Sequence, residues 1–178
     1  MGVTMAQLDA QKGSMLTYVG EWPAEWLGVR PAADSWSALE VLDHVVRVEA
    51  GITRAAMAGM KEPHPLGVRD RLGFLMVERI FLSRYRVKVP GVVAQVLPGR
   101  NLELGEIGVR WESARREFLR LTEECAATGV RGGLFRHPVS GWMSFEQVLR
   151  FFSVHLVHHQ YQLQRIRKSA EAGAFGVG

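Results

Sequence analysis

The sequence predicts an all-α protein, a four-helix bundle with a short accessory helix in a long crossover. Three observations predict it. Apolar residues recur at helical spacing through four long segments and one shorter one, alternating strand patterns are nearly absent, and prolines punctuate the gaps. The chain has 178 residues, 47% hydrophobic and 22% charged, with a mean hydropathy close to zero. That length can bury a core without a disulfide or metal staple. We expect one bundle domain over residues 1–170 and a disordered tail over 171–178.

The first helix spans Thr4 to Val19, with Met5, Leu8, Met15, Leu16 and Val19 apolar, and ends at Gly20 before Pro23. The second starts after Asp34-Ser35-Trp36 and runs to Met60, where Pro63 and Pro65 stop it. The third is the short one, from Arg69 to Tyr85, and carries Leu72, Leu75, Met76, Arg79 and Leu82. From Val87 to Leu104, Pro90, Gly91, Pro98 and Gly99 break any sustained period, so this stretch reads as the crossover. Val89–Leu97 is β-rich in composition, but prolines flank it and no partner strand is evident. The fourth helix covers Gly105 to Ala127, with Ile107, Trp111, Ala114, Phe118 and Leu121 on one face. A turn-rich loop, Gly129 to Gly141, leads to the last helix, Ser144 to Lys168.

Charge and composition exclude several classes. The formal net charge is +4, and four lysines (Lys12, Lys61, Lys88, Lys168) leave 18 of the 22 basic residues as arginine. A basic chain admits nucleic acid as a partner, but here the charges interleave, as in Glu112-Ser113-Ala114-Arg115-Arg116-Glu117, which is the pattern of a solvated helix face. Nucleic acid is therefore not the expected partner. No apolar run reaches the roughly 18 residues that a membrane span needs, and no secretory leader is recognisable, so no membrane association is expected and the cytoplasm is the expected location. One cysteine, Cys125, excludes a disulfide scaffold and reads as a small core residue. No nucleophile elbow, dinucleotide fingerprint or phosphate loop occurs. Six histidines remain to be accounted for.

Two capping boxes fix where the best helices begin. Ser37-Ala38-Leu39-Glu40 and Ser144-Phe145-Glu146-Gln147 each place a serine three residues before a Glu or Gln that can bond back to it. Faces then follow at about 100° per residue. With Val41 at 0°, His44 falls at about 300°, inside a stripe made by Val45, Val48, Ile52 and Ala55. With Phe145 at 0°, His155 and His159 fall at about 280° and about 320°, beside Val148, Phe152, Leu156, Leu163 and Ile166, whereas His158 falls at about 220° and turns away. His155 and His159 are thus an i, i+4 pair on adjacent turns of one face. His64 and His137 sit beside prolines in loops and read as surface residues. Asp43 and Glu49 do not share the direction of His44 and read as surface acids. Gln162 falls at about 260°, one turn after His159, as a pocket candidate. Trp36, Trp142 and Phe152 read as core.

Three inward imidazoles on two helices fit a metal site of zinc, nickel, iron or copper, with a coordination position left for water or substrate. The other reading is three satisfied core histidines, and the angles alone do not show that His44 faces the pair.

The same residues carry a family resemblance. DSWSALEVLDHVVRVE resembles the second-helix signature of the DinB/YfiT-like superfamily. HPVSGWMSFEQVLRFFSVHLVHHQYQLQRI resembles its last-helix signature, in which a His, three residues, a second His and a following Gln-hydrophobic pair recur: here His155, His159 and Gln162-Leu163. The resemblance covers nearly the whole chain. It implies a four-helix bundle with a divalent metal held by His44, His155 and His159, zinc or nickel first, with iron or manganese as further candidates. It also implies a small-molecule substrate and a homodimer. Some members of that superfamily are thiol-dependent enzymes, mycothiol-dependent maleylpyruvate isomerase and bacillithiol-type transferases among them. A metal-dependent transferase or hydrolase, with a low-molecular-weight thiol as a further cofactor, is accordingly the expected function. A non-catalytic bundle that binds a ligand or partner is the alternative.

Overall fold

The structure is a computed structural model, in which residues 2–83 and 96–173 are described. In chain order the elements are α1 (Met5–Gly20), α2 (Ala24–Leu27), α3 (Ala38–Gly59), α4 (Val68–Leu82), α5 (Leu104–Thr128), β1 (Phe135–His137), β2 (Gly141–Met143) and α6 (Phe145–Glu171). The four long helices close a ring: α3 packs on α5 and α6, and α1 packs on the same two. Helix α4, in the connection between α3 and α5, lies outside the ring against α6. The predicted bundle with its accessory helix is therefore the observed architecture.

Local chemistry starts the helices where the sequence says. Ser37 Oγ accepts the Glu40 amide and the Glu40 carboxylate accepts the Ser37 amide. Ser144 and Gln147 repeat the device at α6, and Thr4 with Gln7 does so at α1. Each box satisfies amide groups that the first turn leaves without a partner. The ring then buries Leu8 and Met15 of α1, Leu42 of α3, Trp111 and Phe118 of α5 and Phe152 of α6, all almost fully. None of the described helices is long and apolar enough to cross a membrane.

Four sequence expectations need correction. The apolar residues singled out on the third helix, Leu72, Leu75, Met76 and Leu82, are exposed, while Phe74 and Val77 are buried and Phe81 is half-buried. Helix α4 is apolar on two sides, and the sequence pattern picked the outer one. Loop 129–141 contains strand β1, which pairs antiparallel with β2 in the register Phe135–Met143, Arg136–Trp142, His137–Gly141. Three-residue strands are too short to show alternation. The one-turn helix α2 was likewise not foreseen. Finally, α6 continues to Glu171, three residues past the expected end at Lys168. Residues 174–178 of the expected tail, and most of the β-rich stretch 89–97, lie outside the described residues.

The hairpin is seated by close approach at two glycines. A Cβ at Gly59 of α3 would lie 2.0 Å from the Leu134 carbonyl oxygen, and one at Gly73 of α4 would lie 2.5 Å from that of Ser140. Asp70 adds polar ties, accepting the amides of Gly67 and Trp142 at 2.9 Å each. The hairpin thereby holds the N-terminal end of α6, and with it the phase of every side chain on that helix.

Candidate metal centre

Helix α3 contributes His44 from its N-terminal half, and α6 contributes His155 and His159 from its middle. The packing of α3 on α6 brings the three rings together. One ligand nitrogen from each lies within 4.8 Å of the others, and the Nε2 atoms of His155 and His159 are 3.0 Å apart. All three residues are buried.

The surroundings set the state of each ring. The Nδ1–H of His44 donates to the Val96 carbonyl at 2.7 Å, and that of His159 donates to Gln162 Oε1 at 2.8 Å. We assign these tautomers from the acceptors, and they leave each Nε2 lone pair facing the shared space. His155 Nδ1 has no hydrogen-bond partner among the described residues. Its ring is held by packing instead, stacked on Phe151 at an interplanar angle of 14° and tilted against Phe81. Burial pushes the His44 imidazole down to about 4. His155 and His159 lie well below the usual histidine range, first through burial and then through the neighbouring imidazoles. The rings are therefore neutral at pH 7, which is the form that ligates a metal. Three neutral, buried imidazoles, each with one ligand nitrogen in the same small space, are a donor set that a divalent cation fits once the His155 Nε2 proton, which donates to His159 Nε2 here, shifts to the unpartnered Nδ1.

The group opens on a cleft of about 1260 Å³. Trp36, with its ring 4.7 Å from that of His44, shares the wall with Ile52, Val77, Phe81, Phe151 and Ile166. Polar groups converge with them: Gln162, His137, His158, Arg47 and Arg110. An apolar cleft with a few convergent polar groups is the usual form of a small-molecule site.

The family model of the DinB superfamily matches residues 7–163, a span that includes all three histidines. The chain belongs to the DinB superfamily. No curated protein and no solved structure matches it.

In this DinB superfamily chain, several residues near the centre differ from their sequence reading. Asp43 is fully buried. Its Oδ2 accepts the Arg47 Nε–H and the Gly99 amide at 2.7 Å each, and its Oδ1 accepts Arg110 Nη1 at 2.6 Å. It ties the segment around Gly99 to α3, and the same segment delivers the Val96 carbonyl to His44. These bonds, with the two guanidinium groups, hold the carboxyl below its usual range against the desolvation that opposes them. Glu49 is also buried, bonded to Trp111 Nε1 at 2.9 Å and Arg115 Nη2 at 2.8 Å. Burial raises its pKa, with Arg115 and Trp111 acting in the opposite direction. His158, expected to turn away, is buried beneath α4, its Nδ1 facing the Phe81 carbonyl at 3.4 Å. His137 is half-buried and lines the cleft, and its Nδ1 accepts the Val139 and Ser140 amides. Trp36 is a cleft wall rather than core, and Trp142 is half-buried and stacks on the exposed His64. Cys125 is buried, its thiol pushed up to about 11 by burial, so it is no nucleophile.

Proposed function

We propose that this DinB superfamily chain is a divalent-metal-dependent enzyme. It holds its ion on His44, His155 and His159 and acts on a small molecule in the adjacent cleft. The observation that carries the reading is the convergence of three neutral, buried imidazoles at the wall of an open cleft. A buried cluster on its own would equally suit a satisfied core, but access from a cleft is what a reaction requires. Three protein ligands leave a position for a substrate atom. Zinc and nickel suit this donor set best, with iron and manganese behind them.

When bound, a divalent ion supplies Lewis acidity, polarising a carbonyl and lowering the pKa of water or a thiol. The chain supplies the rest. Val96 and Gln162 fix the tautomers of His44 and His159, and Trp36, Phe81 and Phe151 screen the rings from bulk water. The reaction class we assign is thiol transfer or hydrolysis, with a low-molecular-weight thiol as co-substrate in the first case. We further propose that the protein works as a cytoplasmic homodimer. The exposed apolar side of α4 supports the dimer.

The test is metal analysis of protein purified without a nickel column, followed by titration with zinc and nickel. About one ion per chain is expected, and His155→Ala should abolish tight uptake. Less than about a tenth of an equivalent, unchanged after either metal is added, would count against the whole reading. With metal in place, turnover of an electrophile only when thiol is present assigns a transferase, and turnover with water alone assigns a hydrolase.

A further inference from the structure

The cleft is charged on one side of the balance. Its described lining includes five arginines, Arg47, Arg54, Arg110, Arg136 and Arg165, against two acids, Asp34 and Glu117, and no lysine. Two of the arginines have a special arrangement. Arg47, one turn beyond His44 on α3, and Arg110 of α5 both bond to Asp43, at 2.7 Å and 2.6 Å. The carboxylate between them is fully buried, while their side chains remain 39% and 40% exposed.

One arginine is enough to balance one carboxylate. The second leaves this cluster with a net positive charge at the cleft wall. A surface charge would be screened within about 10 Å by salt, but a concave, low-dielectric wall focuses the field into the cleft. Asp43 also restrains both side chains, so a ligand that binds them loses less rotamer entropy than it would on free arginines. The planar guanidinium matches the geometry of carboxylate and phosphate oxygens. Arginine is used throughout the wall where lysine would have supplied the same charge without that fork.

We infer that Arg47 and Arg110, held by Asp43, form an anion-binding subsite, and that the substrate carries a carboxylate or phosphate group. The inference deepens the proposed function and rests on it only for the reacting end of the substrate; the anionic end is recognised by the arginines.

Isothermal titration of the full-length chain, stripped of metal with a chelator, tests it with three probes: succinate, inorganic phosphate and the neutral succinamide. Succinate or phosphate should bind, more weakly as sodium chloride is raised, and succinamide should bind at least about tenfold more weakly than succinate if the carboxylate is the group recognised. Whichever anion binds more tightly names the group. Arg47→Gln and Arg110→Gln should each cost about tenfold or more in anion affinity while retaining a helical far-UV spectrum. Variants that are folded and bind the anion like the unmodified chain overturn the subsite, as does an unmodified chain that binds neither anion. Should a variant fail to fold, the unmodified chain still decides: equal affinity for succinate and succinamide, with no phosphate binding, overturns the inference. Zinc titration of the same preparation keeps the two readings apart. Arginine-dependent anion binding without zinc uptake retains the subsite and sinks the metal reading, and zinc uptake without anion binding does the reverse.

Discussion

Asp43 adjoins His44 in sequence but acts on it by a detour. Its carboxylate accepts the Gly99 amide, and the segment so tethered presents the Val96 carbonyl to His44 Nδ1. Asp43→Asn keeps the shape and removes the charge that both arginines need. Residues that orient a metal ligand indirectly usually contribute about 10–100-fold in affinity. A chelator-competition titration should show a loss in that range with helicity retained, and unchanged zinc affinity would show that the tether does not matter. A second prediction concerns acid. The unfolded chain takes up protons on its histidines at a pH of about 6.5, whereas His44 and His137 in the folded chain do so only at about 4. The unfolded state therefore binds more protons through this window. Stability of the metal-free protein should be whole above pH 6.5 and fall as the pH drops toward 4. Urea unfolding at stepped pH checks this, and a flat profile between pH 7 and 4.5 would contradict it. At this scale the sequence was half legible. The inward direction of His44, His155 and His159 follows from periodicity alone. The burial of Asp43 and Glu49 does not, because a buried carboxylate and a surface one look alike in sequence when their partners are distant. Arg110 stands 67 residues from Asp43, and Arg115 stands 66 from Glu49.

Helix α4 shows where a single helical wheel misleads. With Val68 at 0° and about 100° per residue, Phe74, Val77 and Phe81 cluster at about 180–240°, and Val68, Leu72, Leu75, Met76 and Leu82 spread from about 320° to about 80°. The first set packs inward, where Phe81 meets Phe151 and His155. The second remains exposed: Val68 at 74%, Leu72 at 61% and Leu75 at 51%. Periodicity finds apolar faces but does not say which one meets the same chain. Under the proposed dimer, this stripe is the contact face that α4 offers. We expect the unmodified chain to elute as a dimer in size-exclusion chromatography with light scattering, and the Leu72→Glu, Leu75→Glu double variant as a folded monomer. A monomeric parent, or a variant that stays dimeric, would remove α4 from the interface. The starts of α3 and α6, by contrast, were legible to the residue, because their capping serines are written into the chain. The hairpin was not, since what seats it is backbone approach at Gly59 and Gly73 rather than any side-chain pattern.

Taken as a whole, the molecule fills the centre of its ring with apolar side chains. Trp111, Phe118 and Phe152 fill the ring, and Phe118 meets Phe152 with ring centroids 4.8 Å apart. The three histidines sit at the cleft wall, so an ion held there as proposed would add to a core that is packed elsewhere. Protein stripped of metal should keep its helical far-UV spectrum and a cooperative thermal transition. Zinc should then raise the midpoint by mass action, by the equivalent of about 2.7 kcal/mol at a hundredfold excess over the dissociation constant. Loss of the helical spectrum on chelation would mean that the ion is structural. The sequence already indicated this balance through length and composition, but the cleft and its arginines emerged only with the three-dimensional packing.

The division of the histidines between two helices has a temporal side. His155 and His159 share one helix, so their half of the site exists as soon as that helix forms, a local event on the microsecond scale. His44 lies more than 100 residues earlier in the chain, so its contact with α6 is long-range and we expect it to form later than the local turn that pairs His155 with His159. During refolding, an ion bound as proposed would on this order meet a two-toothed grip first and a three-toothed one last. Its residence time would then lengthen as the bundle shuts, and the rate at which metal escapes would act as a clock for assembly.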